Sequence, residues 1–207
     1  MHTPPHNRND SPEDLLAFMR QHSFATLVTS AGGLAVSHVP LNIEPSGEGF
    51  SITGHLAKAN PQWRELPLAE AMVVFTAPHA YISPANYQPG MNVPTWNYIA
   101  VHAFGNVRLV DSREETVANL GKAIAGTEPG YLRDFESYPQ AWVDAKLKGI
   151  VAFELTTTRV ESRWKLSQEK DADTRYRIAT ALDAADPSAR ELAATCARAA
   201  PGGPTHE

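Results

Sequence analysis

The chain has 207 residues, 43% of them hydrophobic and 20% charged, with a net charge of −5 at pH 7. That is ordinary globular usage, enough for one domain with a small appendage, and the acidic balance gives no bulk electrostatic ground for nucleic-acid binding. One cysteine, Cys196, excludes an intrachain disulfide, and neither a signal peptide nor a run of ~18 apolar residues is seen, so a cytoplasmic protein without a membrane partner is expected.

Ser11-Pro12-Glu13-Asp14 reads as a helix start, with Ser11 as cap, and Leu15, Leu16, Phe18 and Met19 carry an amphipathic helix to about His22. Phe24 to Ser30 is β-branched and aromatic, a strand. Ala31-Gly32-Gly33 turns, and Leu34 to Val39 returns as a second strand that extends toward Ile43. After a turn at Ser46-Gly47-Glu48-Gly49, Phe50 to Gly54 is a third strand. The connections are too short for parallel crossovers, so the meander is antiparallel. Asn60-Pro61 opens a short helix to about Leu66. Met72 to Thr76 is a nearly continuous apolar run, as in a central strand buried on both faces. Ala80 to Tyr87 reads as a short strand and loop.

Thr95 to Val110 is the longest strand candidate. Trp96, Tyr98, Ala100, His102 and Phe104 share one face, and Gly105 suggests a bulge or bend. Ser112-Arg-Glu-Glu115 is a capping box for a helix to about Ala125, and a second helix is expected from Pro139 to Leu147. Ile150 to Leu155 and Thr158 to Leu166 are the last strands. From Asp171 the Ala-, Asp- and Arg-rich composition predicts one or two exposed helices and a Pro-Gly-Gly-Pro tail. The sum is a barrel-like α+β domain over residues 1–170, with a helical extension over 171–207.

No phosphate loop, dinucleotide glycine fingerprint, nucleophile elbow or zinc-type cluster is present. Three stretches carry binding potential. In Gly54-His55-Leu56-Ala57-Lys58-Ala59-Asn60-Pro61-Gln62-Trp63 a lysine precedes a capped helix start, where free N–H groups and a cation suit a phosphate. The same pattern fits an ordinary capped helix beside a solvated lysine. In Pro94-Thr95-Trp96-Asn97-Tyr98 the aromatic residues suit a flat ring and Thr95 and Asn97 its polar edges, although Trp96 and Tyr98 read equally as core. Arg163-Trp164-Lys165-Leu166-Ser167-Gln168 ends the last strand with a ring, a cation and two hydrogen-bonding side chains, or is a plain surface strand end.

Seven stretches stand in order: Phe24-Ala-Thr-Leu-Val-Thr29, His38-Val-Pro-Leu41, Gly54 to Trp63, Pro78-His-Ala-Tyr-Ile-Ser-Pro84, Val93-Pro-Thr-Trp-Asn-Tyr98, Lys148-Gly-Ile-Val151 and Trp164-Lys-Leu-Ser-Gln168. Together they resemble the PaiB-type family of FMN-binding negative transcriptional regulators, from about Met1 to Ala179. The resemblance implies a split β-barrel related to the pyridoxamine-phosphate oxidases. It implies a homodimer with FMN at the subunit interface. It places Lys58 and Asn60 at the phosphate with His55 nearby, Thr95, Trp96 and Asn97 at the ring, and Trp164, Lys165, Ser167 and Gln168 closing the site. His38 and Pro40 match a family motif without an assignable role, and Glu169 departs from the family's usual Asn.

The resemblance also implies a regulatory role, with DNA as partner by family name alone; no helix-turn-helix with a basic recognition helix is found. An FMN-dependent oxidoreductase acting on a small molecule is the second reading. A split barrel holding another planar ligand, such as haem or a deazaflavin, is the third.

Overall fold

The computed structural model describes residues 1–185 and 187–198. Its frame is a seven-stranded sheet in the order β2-β1-β5-β6-β7-β4-β3. The strands are β1 (Phe24–Thr29), β2 (Ala35–Pro40), β3 (Asn42–Ser46), β4 (Gly49–Ala57), β5 (Ala71–Ile82), β6 (Thr95–Val110) and β7 (Ile150–Lys165). Pairing of β1 with β2 and β5, and of β4 with β3 and β7, is antiparallel. The helices are α1 (Pro12–Gln21), α2 (Arg113–Thr127), α3 (Leu132–Ser137), α4 (Gln140–Leu147), α5 (Ala172–Asp183) and α6 (Pro187–Arg198). The protein is α+β, and no described helix is long and apolar enough to cross a membrane. The Pro-Gly-Gly-Pro tail and the Cys196 side chain lie outside the described residues.

The chain divides into two compact units: a meander unit of residues 12–75 and 102–161, and a terminal unit of residues 1–11, 76–101 and 162 onward. In the meander unit, α1 turns Leu15, Phe18 and Met19 inward, as its spacing predicts. It runs beside β3, where Arg20 Nε donates to the Ile43 carbonyl at 2.9 Å. The stretch from Leu34 to Ile43 is not one strand. β2 pairs with β1, and β3 pairs with β4. Between them the buried Leu41 donates its N–H to Ser23, outside either ladder. Pro40 has no N–H, so it ends a strand cheaply at that point.

One further expectation changes. Met72 to Thr76 is not buried on both faces: Ala71, Val73 and Phe75 point inward, while Met72 and Val74 are only half-buried. The sheet therefore keeps an inside and an outside here. Gly105 lies within β6, which runs unbroken from Thr95 to Val110. Its hydrogen faces the Thr156 carbonyl of β7, and a Cβ would collide with that backbone. The capping box holds: Ser112 Oγ accepts from the Glu115 N–H at 3.2 Å. The Glu115 carboxylate, however, pairs with Arg108 rather than reaching back. The two expected last strands are one, β7.

A polar plug fixes one end of the meander. Asn60 Oδ1 caps a single 3-10 turn, Pro61–Arg64, by accepting from the Gln62 N–H at 3.0 Å. This replaces the longer helix expected to Leu66. The turn buries Gln62, whose Nε2 donates to the carbonyls of Leu27 (3.3 Å) and Ala35 (3.1 Å) and whose Oε1 accepts from Ser37 Oγ at 2.6 Å. One side chain thus bonds both strands of the first hairpin.

In the terminal unit, α5 and α6 pack on one another and bury Ile178, Leu182, Ala189, Leu192 and Ala193. They are not the freely exposed helices that their composition suggests. α5 also lies against the short turn Pro84–Asn86 that follows β5.

Gln62→Leu should lower the unfolding free energy by about 2–3 kcal/mol, because apolar carbons would replace an amide that satisfies buried backbone groups. Urea denaturation monitored by circular dichroism measures it, and a change below about 0.5 kcal/mol would mean that the plug is incidental.

Candidate functional site

The three sequence stretches fall into two sets, one in each unit. In the meander unit, β4 ends at Ala57 and Lys58 follows, its N–H bonded to the Gly149 carbonyl at 2.8 Å. Lys58 lines a cleft of about 470 Å³ with Trp63, Asp111, Arg113, Asp144, Lys148 and the start of β7, three cations against two carboxylates. Arg113 Nε is paired to Asp144 at 2.5 Å. Lys58 and Lys148 have no carboxylate partner among the described residues, so the cleft keeps an excess of positive charge. Trp63 Nε1 donates to the Lys58 carbonyl at 3.1 Å and holds this corner.

His55 does not share that cleft. It lines a small cavity of about 30 Å³ between β4 and α2, with Asn42, Thr116 and Asn119. Burial holds its imidazole below the ordinary value of 6.5. Asn60 has both ends of its amide engaged, accepting from the Gln62 N–H and donating to Ser37 Oγ at 2.8 Å. Its setting is that of a structural cap. The 3-10 turn behind it has four residues and so carries little of the dipole that a long helix would offer an anion. The cations around Lys58 are the feature suited to a phosphate here.

In the terminal unit the other two stretches meet. Lys165 Nζ donates to Thr95 Oγ1. Ser167 Oγ donates to Asn97 Oδ1 at 3.0 Å, with Asn97 fully buried. Ser167 has φ +61°, the left-handed region that a serine seldom adopts. The reversed turn is braced by Gln168, whose Nε2 donates to the Trp164 carbonyl and whose Oε1 accepts from the Leu166 N–H at 2.7 Å. Gln168 therefore shapes the turn with its whole amide. Burial, with help from the nearby Arg163 charge, lowers the Lys165 pKa, and Glu169 opposes it.

β6 alternates as expected, but the amide faces in and the indole faces out: Trp96 is 52% exposed. The reading of Trp96 as core filler is thus set aside. His79 and Tyr81, from β5, flank the indole with ring centroids 6.0 and 5.9 Å away, Tyr81 edge-on. These two were missed as site residues, although Pro78 to Pro84 was one of the seven stretches. Their period-two spacing on a strand is the signal that would have put both rings on one face. Arg163 stacks its guanidinium 5.5 Å from the Tyr98 ring centre, and its buried Nε has no hydrogen-bond partner among the described residues.

These groups fit a flavin. An exposed indole offers a stacking face. A half-buried ammonium and a spare guanidinium N–H suit the carbonyl oxygens and ring nitrogens along an isoalloxazine edge. An antiparallel split barrel with such a cluster belongs to the flavin-binding split barrels. Residues 1–159 match the family described as "Putative FMN-binding domain", and the chain belongs to that family, whose cofactor is FMN.

Among similar proteins, "Protease synthase and sporulation protein PAI 2" of Bacillus subtilis (strain 168) is 33% identical over 199 residues, covering 93% of this chain and 95% of that one. The FAD and heme binding protein from Mycobacterium smegmatis has the same fold at 16% identity, with a TM-score of 0.62 over 84% of this chain and 80% of that one. The flavocytochrome Anf3 from Azotobacter vinelandii does so at 12% identity, with a TM-score of 0.59 over 79% and 72%.

Because burial lowers the His55 pKa, the folded state favours the neutral ring. The unfolded chain takes up that proton near the ordinary value and the folded chain only at lower pH. The His55 contribution to stability is therefore complete above pH ~6.5 and declines below it. Denaturation curves at several pH values between neutrality and about pH 5 should show a smaller loss of stability for His55→Gln than for the wild type. Identical pH profiles would show that the His55 pocket is wet.

Proposed function

We propose that this protein binds FMN with the isoalloxazine against Trp96, edged by Thr95, Asn97 and the turn from Trp164 to Gln168. We further propose that it works as a homodimer with FMN at the subunit interface. The observation that carries this reading is the convergence of Lys165 on Thr95 and of Ser167 on Asn97, beside a half-exposed indole. When bound, FMN supplies one- or two-electron transfer. The chain's own task is to present a stacking face and polar edge contacts.

Lys58 takes the phosphate in this reading, supported by the positive cleft that it shares with Lys148. His55 and Asn60 act behind it, as a buried neighbour and as the cap of the turn that follows. The name of the Bacillus subtilis relative supports a regulatory role in which flavin occupancy or redox state is what is read. Such a role needs no DNA contact by this chain, in keeping with its net charge of −5.

Appearance of a bound-flavin absorbance spectrum on titrating the protein with FMN tests the reading. A Soret band in the purified protein, or turnover of a small substrate by FMN-loaded protein, would replace it with one of the two alternatives. Within it, Lys58→Ala should weaken FMN about tenfold or more while leaving riboflavin nearly unchanged, as expected for one charge-assisted contact. Equal weakening of both would remove Lys58 from the phosphate.

The exposed Trp96 and Tyr81 leave a flat ligand partly wet on one chain, and a partner subunit would cover it. FMN should therefore tighten dimerisation. Sedimentation of the apo and FMN-loaded protein at low concentration reads this linkage. A monomer that binds FMN as tightly as the dimer would exclude a shared site.

A further inference from the structure

Lys165 is an unusual cation. The residue is half-buried, yet the partner of its ammonium is the neutral hydroxyl of Thr95. No carboxylate lies within ion-pair distance of it among the described residues, and the nearby Glu169 pairs instead with Lys170 at 3.7 Å. The guanidinium of Arg163, two residues earlier, adds like charge. Surface lysines normally sit in water or beside an acid; one that is partly desolvated without a counter-ion carries electrostatic free energy that a nearby anion would recover. The backbone that carries it is also fixed: the Ser167–Asn97 bond and the Gln168 amide lock the turn that follows it, and Thr95 Oγ1 holds the ammonium.

We propose that Lys165 is a redox-selective contact: it lies against the pyrimidine edge of the flavin and makes this protein hold reduced FMN more tightly than oxidised FMN. The inference rests on the reading that FMN sits at the Trp96 cluster. Oxidised isoalloxazine is neutral. Two-electron reduction with uptake of one proton at N5 leaves a monoanion whose charge lies over N1 and the C2 carbonyl. Lys165 gains little from the first form and a full charge–charge attraction from the second. Where a partner subunit covers the ring and excludes water that difference is large, because the effective dielectric is low. The neighbours divide the work. Thr95 aims the ammonium, Trp96 stacks, and Asn97 with Ser167 holds the two strand ends in register. Arg163 reinforces the same sign of potential. The protein would thereby respond to the redox state of its ligand, beyond its mere presence.

The test compares dissociation constants of the wild type, Lys165→Met and Lys165→Arg for FMN in air and for FMN kept reduced by excess dithionite under nitrogen, with riboflavin run in parallel. The wild type is expected to bind reduced FMN at least tenfold tighter than oxidised FMN, about 30 mV for a two-electron couple. Lys165→Met should lose that preference, weakening reduced FMN at least tenfold more than oxidised FMN, and keep the wild-type circular dichroism spectrum. Lys165→Arg should restore most of the preference, because the charge returns. The reduced-flavin spectrum of the wild type should remain that of the anion to lower pH than in Lys165→Met.

Three results would overturn the proposal: the same preference in Lys165→Met as in the wild type, no preference in the wild type, or a loss for FMN that riboflavin does not share, which would move Lys165 to the phosphate. A wild type that binds neither form would instead refute the flavin reading itself, and is told apart by the absence of any binding in air.

Discussion

A primary amide with no exposure to solvent has to be satisfied, and Asn97 governs one end of the protein for that reason. Leaving such a group unbonded costs about 1–3 kcal/mol. Asn97 is held by Ser167 Oγ, and that hydroxyl arrives only because Ser167 adopts a left-handed backbone. Such a conformation costs a non-glycine residue roughly 1 kcal/mol or more, so the bond and the turn support one another. The strand ends beside it follow. Lys165 is delivered to Thr95, Gln168 closes on the Trp164 carbonyl, and Trp96, one residue before Asn97, must face outward because strand neighbours alternate. The exposed indole is thus a consequence of the buried amide.

The meander unit solves a similar problem with Gln62. Its buried amide ties Leu27 and Ala35, while Asn60 and Ser37 complete the chain of donors and acceptors. Lys58 leaves the strand just before this rigid corner. Its backbone is pinned by Gly149 and by the Trp63 indole, while its side chain projects into the positive cleft. In both units a polar network anchors the backbone, and the lysine at its edge has no carboxylate partner among the described residues.

Strong local signals were legible from residue order alone. The helix at Pro12, the sixteen residues of β6 and the cap at Ser112 follow from propensity and capping chemistry that need no tertiary partner. Partner choice was not legible. Leu34 to Ile43 looks like one strand because nothing local shows that the chain changes neighbours at Leu41. The α3 helix, only six residues long, has too little periodicity to stand out. The alternation of β6 was read correctly, but which of its faces turns inward stayed open, since a Trp–Tyr face outweighs an Asn–Ile face in any count of hydrophobic area. The hydroxyl of Ser167, seventy residues away, is a partner for the inward amide that residue order alone does not show. The family resemblance named Lys165 and Gln168 together. The structure gives them different partners: the Lys165 ammonium bonds the Thr95 hydroxyl, and Gln168 braces the turn.

The Asn97–Ser167 bond also joins two parts of the sequence with different status. Asn97 lies within the stretch that matches the family, residues 1–159, and Ser167 lies beyond it. A fragment cut at that boundary would keep the exposed indole and the Lys58 cleft, yet lose the hydroxyl that reaches Asn97, the ammonium on Thr95 and the turn that orients both. Exchange of segments between related chains meets the same obstacle, because a crossover near residue 160 would couple one protein's β6 to another's turn. The natural module for swapping or truncation therefore ends after this turn, and positions 97 and 167 should be inherited as a pair.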